Sequence, residues 1–284
     1  MGLRMATTSA PIHPYLTALA AYLGARYSPD TVRTMTGGAR RFLAVVGTKR
    51  EYTREDVLRY ADWLSVKGYK ASSVNVMLES AKTLFRAMKW PWPVDRRDLH
   101  FRVSQDESGG VVISGPDVIA LIRASRSLVS PERPAVTLAT TYGLRPNEIA
   151  QVITRGLQGN VLEVQTSKGG RKRIHTIPPR LKAALTFRPY PISRDGLHAV
   201  FERLMMRYVR EPVKGEGWHS VRRALVTGLY EAGVQSFYIH HWMGWKSTNM
   251  MLPDPAIVFK YVKPDTAFLD HEIYSHHPFL GAWE

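Results

Sequence analysis

Trp218-His219-Ser220-Val221-Arg222, continuing through Leu229-Tyr230-Glu231 to Met243-Gly244-Trp245 and on to Lys260-Tyr261, strings an imidazole, a guanidinium, an indole and a phenol along one part of the chain. Residues three apart lie on one face of a helix, so His219 and Arg222 would present an imidazole and a guanidinium to the same point. Such a pair suits a phosphate. Upstream, Tyr142-Gly143-Leu144-Arg145-Pro146-Asn147-Glu148 carries a second arginine, and Ser167-Lys168-Gly169-Gly170 places a lysine at what reads as a hairpin tip.

The composition bounds what such a cluster could serve. A chain of 284 residues is long enough for two domains, each with its own core, and its 44% hydrophobic content fits a globular protein. No run approaches the roughly eighteen apolar residues of a membrane span, and the first residues lack the apolar segment of a signal peptide. A cytoplasmic location is therefore expected. The absence of cysteine excludes disulfides and thiolate metal sites. The formal charge of +15 is spread over both halves, +9 in residues 1–105 and +6 in residues 106–284. Lysines and arginines that neutralise backbone phosphates release counterions, so a polyanion touched by both halves is the economical reading.

Four helices are expected at the front. Apolar residues from Tyr15 to Leu23 share a helical face; Ser28-Pro29-Asp30 caps a second helix running to Val46, where Gly47 stops it. Thr53-Arg54-Glu55-Asp56 opens a third that ends at Gly68, and a fourth runs from Ser72 or Ser73 to Trp90, halted by Pro91 and Pro93. Short polar connections between them predict an all-α module over residues 1–103. Arg33, Arg40, Arg41, Lys70, Lys82 and Arg86 are its candidate nucleic-acid contacts. Residues 104–112, where periodicity fails and Ser108-Gly109-Gly110 falls, predict a linker.

A second, mainly helical domain is expected over residues 113–284. Ser114-Gly115-Pro116-Asp117 caps its first helix, and an apolar helix from Ala135 to Tyr142 ends at Gly143. Pro146 suits the first position of the next helix, which puts Arg145 at its N-cap, with Glu148 bracing it. Alternation from Val161 to Thr166 and from Arg171 to Ile177 predicts a β-hairpin around Gly169-Gly170, with Arg171 and Arg173 as further nucleic-acid contacts. Further helices span Gly196–Arg210, the His219–Arg222 segment to Gly233, and Ser236–Met243. His271 and His276 are five apart, about 140° around a helix, so no metal site is expected there.

Gly143-Leu144-Arg145-Pro146-Asn147-Glu148 resembles the first-arginine box of the tyrosine recombinase (phage integrase, Xer- and Cre-like) family. Ser167-Lys168-Gly169-Gly170 resembles its hairpin lysine, His219-Ser220-Val221-Arg222 its His-x-x-Arg box, and Met243-Gly244-Trp245-Lys246 the box that follows. Ser28-Pro29-Asp30-Thr31 and Ala71-Ser72-Ser73-Val74-Asn75 look like its core-binding helical domain, so the resemblance covers essentially the whole chain. Tyr261 would be the nucleophile. It stands sixteen residues after Trp245, farther than the family's usual two to three helical turns, with Pro253 and Pro255 intervening. Tyr274 is the alternative.

The resemblance implies a site-specific recombinase or integrase, a helical core-binding domain followed by a mainly α catalytic domain with a small β-hairpin. Arg145 and Arg222 would neutralise charge on the phosphate, Lys168 would protonate the leaving 5′-oxygen, His219 would take the tyrosine proton, and Trp245 would donate its indole N–H. Double-stranded DNA would be the partner, with dimers and a synaptic tetramer forming on it near the nucleoid, and no metal or other cofactor would be needed. The competing reading is an architectural or regulatory DNA-binding module with a decayed site.

Overall fold

Ser28 and Pro29 do what their types dictate: the Ser28 hydroxyl accepts the Thr31 N–H, Pro29 takes the first helical position, and α2 (Pro29–Val46) follows. The computed structural model describes residues 13–95, 99, 110–157, 159–166, 172–245 and 265–284. The chain divides into two units, Met1–Gly109 and Gly110–Glu284.

In the first unit, α1 (Pro14–Gly24), α2, α3 (Arg54–Val66) and α4 (Ala71–Ala87) enclose a core built on Leu19, Phe42, Tyr60, Leu64, Leu84 and Phe85. Thr53 caps α3 through a reciprocal pairing with Asp56, whose carboxylate accepts the Thr53 N–H. Gly38 sits where α2 crosses α4, so close that a Cβ there would lie 2.5 Å from the Ser80 Cβ. The fourth helix stops earlier than the sequence suggests. Lys89 turns the chain with φ +58°, the Lys89 N–H bonds the Arg86 carbonyl, and the Trp90 N–H bonds that of Phe85. That pattern is a Schellman stop with lysine where glycine is usual. It lays the Trp90 ring 5.7 Å from that of Phe85 and 5.3 Å from that of Tyr52.

In the second unit, α6 (Glu132–Tyr142) is the central element, buried at every residue from Pro134 to Tyr142. Around it pack α5 (Gly115–Ser125), α7 (Pro146–Arg155), α8 (Lys182–Leu185), α9 (Arg194–Tyr208) and α10 (Trp218–Glu231). A two-stranded antiparallel sheet joins β1 (Val161–Val164) to β2 (Arg173–Thr176), with Leu162 opposite His175 and Val164 opposite Arg173. Its register reverses what hydrophobicity alone would place inside. Arg173 and His175 face the core, while Ile174 is 44% exposed. After α11 (Ser236–Trp242), α12 (Thr266–Ser275) docks on β2. The Asp270 carboxylate accepts the Thr176 N–H at 2.6 Å, and the Tyr274 hydroxyl donates to the Thr176 carbonyl at 2.6 Å. The tail then returns to α6, where the His277 Nε2 lies 3.0 Å from the Thr141 carbonyl and Leu280 and Trp283 are buried. No helix among the described residues is long and apolar enough to cross a membrane.

Candidate active site

Two helix ends build the site. α6 stops at Gly143 (φ +57°) and α11 at Gly244 (φ +63°), both in the left-handed region that glycine enters without steric cost. At the end of α11 the Gly244 N–H bonds the His241 carbonyl and the Trp245 N–H that of His240, again a Schellman stop. Its characteristic side-chain contact is made by Trp245 against His240, with ring centroids 5.7 Å apart. The Met-Gly-Trp stretch thus places Trp245 by local backbone chemistry.

Helix C-termini leave carbonyls without intrahelical donors and carry partial negative charge, so they attract cations. Two arginines answer both ends together. Arg173 donates through Nη1 to the Tyr142 carbonyl at 3.3 Å and to the Trp242 carbonyl at 3.0 Å. Arg222, from α10, donates to the next residue of each pair: Nη1 to the Gly143 carbonyl and Nη2 to that of Met243 at 3.3 Å. Its guanidinium carbon stands 5.6 Å from the centroid of the Trp245 ring, in cation–π range.

Arg145 enters from the turn between α6 and α7. It is the N-cap of α7, with Pro146 at the first helical position. Glu148, three residues on, accepts the Arg145 N–H at 2.9 Å through Oε2 and its Nη1 at 2.9 Å through Oε1. The same carboxylate accepts Arg173 Nη2 at 3.1 Å. Burial alone would raise the pKa of Glu148, but the Arg173 charge and the hydrogen bonds from Arg145 outweigh it and hold the carboxyl below the ordinary range. Two guanidiniums, Arg145 and Arg173, therefore bond one carboxylate, and with Arg222 on the adjacent helix ends the cluster of described residues carries net positive charge. The strain falls on Arg222. Burial first, then the fields of Arg145 and Arg173, push it down to about 9, which leaves it charged at neutral pH.

His219 occupies the first turn of α10, where the helix dipole is positive. Trp218 anchors that turn by donating its indole N–H to the Leu197 carbonyl at 2.7 Å. The imidazole lies on the exposed side. Partial desolvation and then the charges of Arg222, Arg223, Arg145 and Arg194 lower its pKa, so the ring is neutral at pH 7. Beside this cluster, Arg145, His240 and Trp245 line a cleft of about 570 Å³, with Val226, Thr227, Tyr230, Ser236 and Ile239 as its other walls. The arrangement presents an anionic tetrahedral group with the partly exposed guanidinium of Arg145, the positive field of Arg222, which is itself 6% exposed and already bonded to two carbonyls, and a neutral base.

Of the residues expected from sequence, Arg145, His219, Arg222 and Trp245 meet here. Lys168, Arg171 and Tyr261 lie outside the described residues. Arg173 requires a correction. It was expected to contact nucleic acid, but it is 4% exposed and committed to Glu148 and two helix ends. The outward reading failed because the partners that draw it inward stand 25, 31 and 69 residues away in sequence. Tyr274 is also no candidate nucleophile, since its hydroxyl bonds the Thr176 carbonyl and burial pushes its pKa up. In the first unit Arg33, Arg40, Arg41, Lys70, Lys82 and Arg86 are all exposed. Arg33 pairs with Asp30 at 3.5 Å and Arg86 with Glu79 at 4.0 Å.

No protein-family model matches this sequence, and no curated protein sequence matches it either. Solved structures do. A lambda integrase dimer bound to a COC′ core site is similar with a TM-score of 0.61 and 17% identity, over 88% of this chain and 94% of that one. A lambda integrase tetramer bound to a Holliday junction gives 0.60 and 18%, over 91% and 80%. The integrase of transposon Tn1549, in complex with a circular intermediate DNA, gives 0.57 and 14%, over 92% and 99%. At such identities the likeness is one of fold, and the fold of this chain is that of the tyrosine recombinases.

Proposed function

We propose that the chain is a site-specific DNA recombinase or integrase that cleaves and rejoins duplex strands through a 3′-phosphotyrosine formed on Tyr261. The observation that carries this reading is the convergence of Arg145 and Arg222, with His219 and Trp245, on a centre whose positive charge the described residues leave uncompensated. Attack on a phosphodiester passes through five-coordinate phosphorus with extra negative charge on the non-bridging oxygens. Guanidiniums already fixed by protein partners stabilise that charge without reorganising, and each such donor is typically worth about 2.7–4 kcal/mol.

In this scheme the Tyr261 hydroxyl, with an ordinary pKa near 10, gives its proton to neutral His219 as its oxygen bonds phosphorus. Lys168 protonates the departing 5′-oxygen. Trp245 stacks on Arg222 and offers its indole N–H to a phosphate oxygen. Because the phosphotyrosine conserves the energy of the broken ester, reversal by the freed 5′-hydroxyl reseals the strand, and neither ATP nor a metal is required. The exposed cations Arg33, Arg40, Arg41, Lys70, Lys82 and Arg86 suit the DNA backbone on the first unit, and Arg171, three residues after Lys168 in sequence, is a further backbone contact. Duplex DNA is the partner, and the protein works as dimers and a synaptic tetramer, by analogy with the dimer and tetramer complexes of lambda integrase; the nucleoid-bearing cytoplasm is its proposed place.

Incubation with nicked suicide duplexes drawn from DNA flanking the gene tests this. A denaturation-resistant adduct, mapped by mass spectrometry to Tyr261, is the expected result. Tight DNA binding without any adduct would instead favour the architectural module with a decayed site.

A further inference from the structure

We infer that Arg173 is a positioning residue for the anion site, holding Arg145 through Glu148 and Arg222 through the two helix ends that the arginines share. The geometry stands without the strand-transfer reading, although its effect on rate rests on that reading. Arg173 is buried and does not reach solvent, so it takes no direct part in binding DNA. One guanidinium nevertheless touches three things: the last carbonyl of α6, the last carbonyl of α11, and the carboxylate that grips Arg145. Arg222 bonds the adjacent carbonyls, at Gly143 and Met243. Any shift of one helix end against the other therefore moves Arg222, and the pairing of Arg173 with Glu148 sets how strongly that carboxylate draws on Arg145.

Stability alone does not account for a charge in this place. A buried ion pair is often no better for stability than apolar side chains of similar volume. What only arginine supplies is a planar fork whose separate nitrogens reach separate acceptors, whereas lysine concentrates its donors on one atom. The surroundings are fitted to that fork: the Arg173 Cδ lies so near Gly244 that a Cβ there would approach it to 2.7 Å. Without Arg173, Glu148 would keep its hold on Arg145 with no counterweight and draw that guanidinium away from the anion.

The test uses the full chain as wild type, Arg173→Lys, Arg173→Met, and Arg173→Met combined with Glu148→Gln. Four properties are read: thermal unfolding, duplex affinity, binding of inorganic phosphate followed by arginine Nε–H resonances, and the adduct rate at saturating suicide DNA. For Arg173→Lys, folded and binding duplex within about twofold of wild type, phosphate affinity and adduct rate fall by about 10²-fold, as misplacement of reacting groups by an ångström costs. The double variant recovers part of what Arg173→Met loses, because glutamine no longer captures Arg145. A residue that only supported the fold would lose rate in step with melting temperature and show no recovery. Wild-type phosphate affinity and rate in a folded Arg173→Lys protein, or a double variant no better than Arg173→Met, overturns the inference. So does failure of every variant to fold, which would make Arg173 a core residue only. If wild type makes no adduct while phosphate binding still depends on Arg173, strand transfer fails and the positioning role stands.

Discussion

At His219 and Lys89 the chain departs from the ordinary behaviour of its residue types. The arginines around His219 and its partial desolvation hold the imidazole below the usual value near 6.5. A base with a lowered pKa is competent above it and fails as pH falls through it. Cleavage is therefore expected to persist at pH 6.5 and decline only in more acid solution, with the acid limb absent from the residual activity of His219→Ala. A limb centred above 6.5, or one retained in the variant, contradicts His219 as the tyrosine-side base. Lys89 holds a left-handed conformation that costs a residue with a Cβ roughly 1–2 kcal/mol. Lys89→Gly is expected to stabilise the first unit by about 1 kcal/mol, read as a higher urea midpoint with unchanged slope.

Between elements, close approach and buried imidazoles decide the energetics. Glycine inside a helix usually costs stability relative to alanine, but at Gly38 the Ser80 side chain occupies the space a Cβ would need. Gly38→Ala is expected to destabilise the first unit by about 1–3 kcal/mol, and Ser80→Gly in the same chain should restore most of it. An increase in stability from Gly38→Ala alone would mean that α2 and α4 can slide apart cheaply. In the second unit, burial holds His175 and His277 down to about 4, both neutral where α12 and the tail meet β2 and α6. Unfolding returns both to about 6.5, so the unfolded chain binds more protons between those values. Stability is full above pH 6.5 and falls toward pH 4 by on the order of 1 kcal/mol per pH unit for each histidine. Denaturant titrations across that range check this, and His277→Gln should reduce the slope.

Across the whole molecule, the first unit offers exposed cations on α2 and α4, and the second gathers arginines around one carboxylate. Much of this was legible in the sequence because it is local. Ser28-Pro29 and Ser114-Gly115-Pro116 announce helix starts, Arg145-Pro146 fixes an N-cap, and His219 and Arg222 share a turn of α10. Non-local chemistry was hidden. Nothing near Arg173 in sequence reveals that two helix ends and Glu148 await it, and Pro91 suggested a later stop for α4 than the turn at Lys89 provides. Tyr274 was a plausible nucleophile until α12 placed its hydroxyl on Thr176.

In the proposed reaction Arg145 and Arg222 neutralise charge on the scissile phosphate, and the decisive comparison is adduct formation on a normal suicide duplex against one carrying a neutral methylphosphonate at the cleaved position. Arg145→Ala and Arg222→Ala are expected to lose about 10²–10³-fold in rate on the phosphate and to regain much of it on the methylphosphonate. An equal loss on both substrates would contradict the account, because the arginines would then be serving something other than the charge of the scissile group.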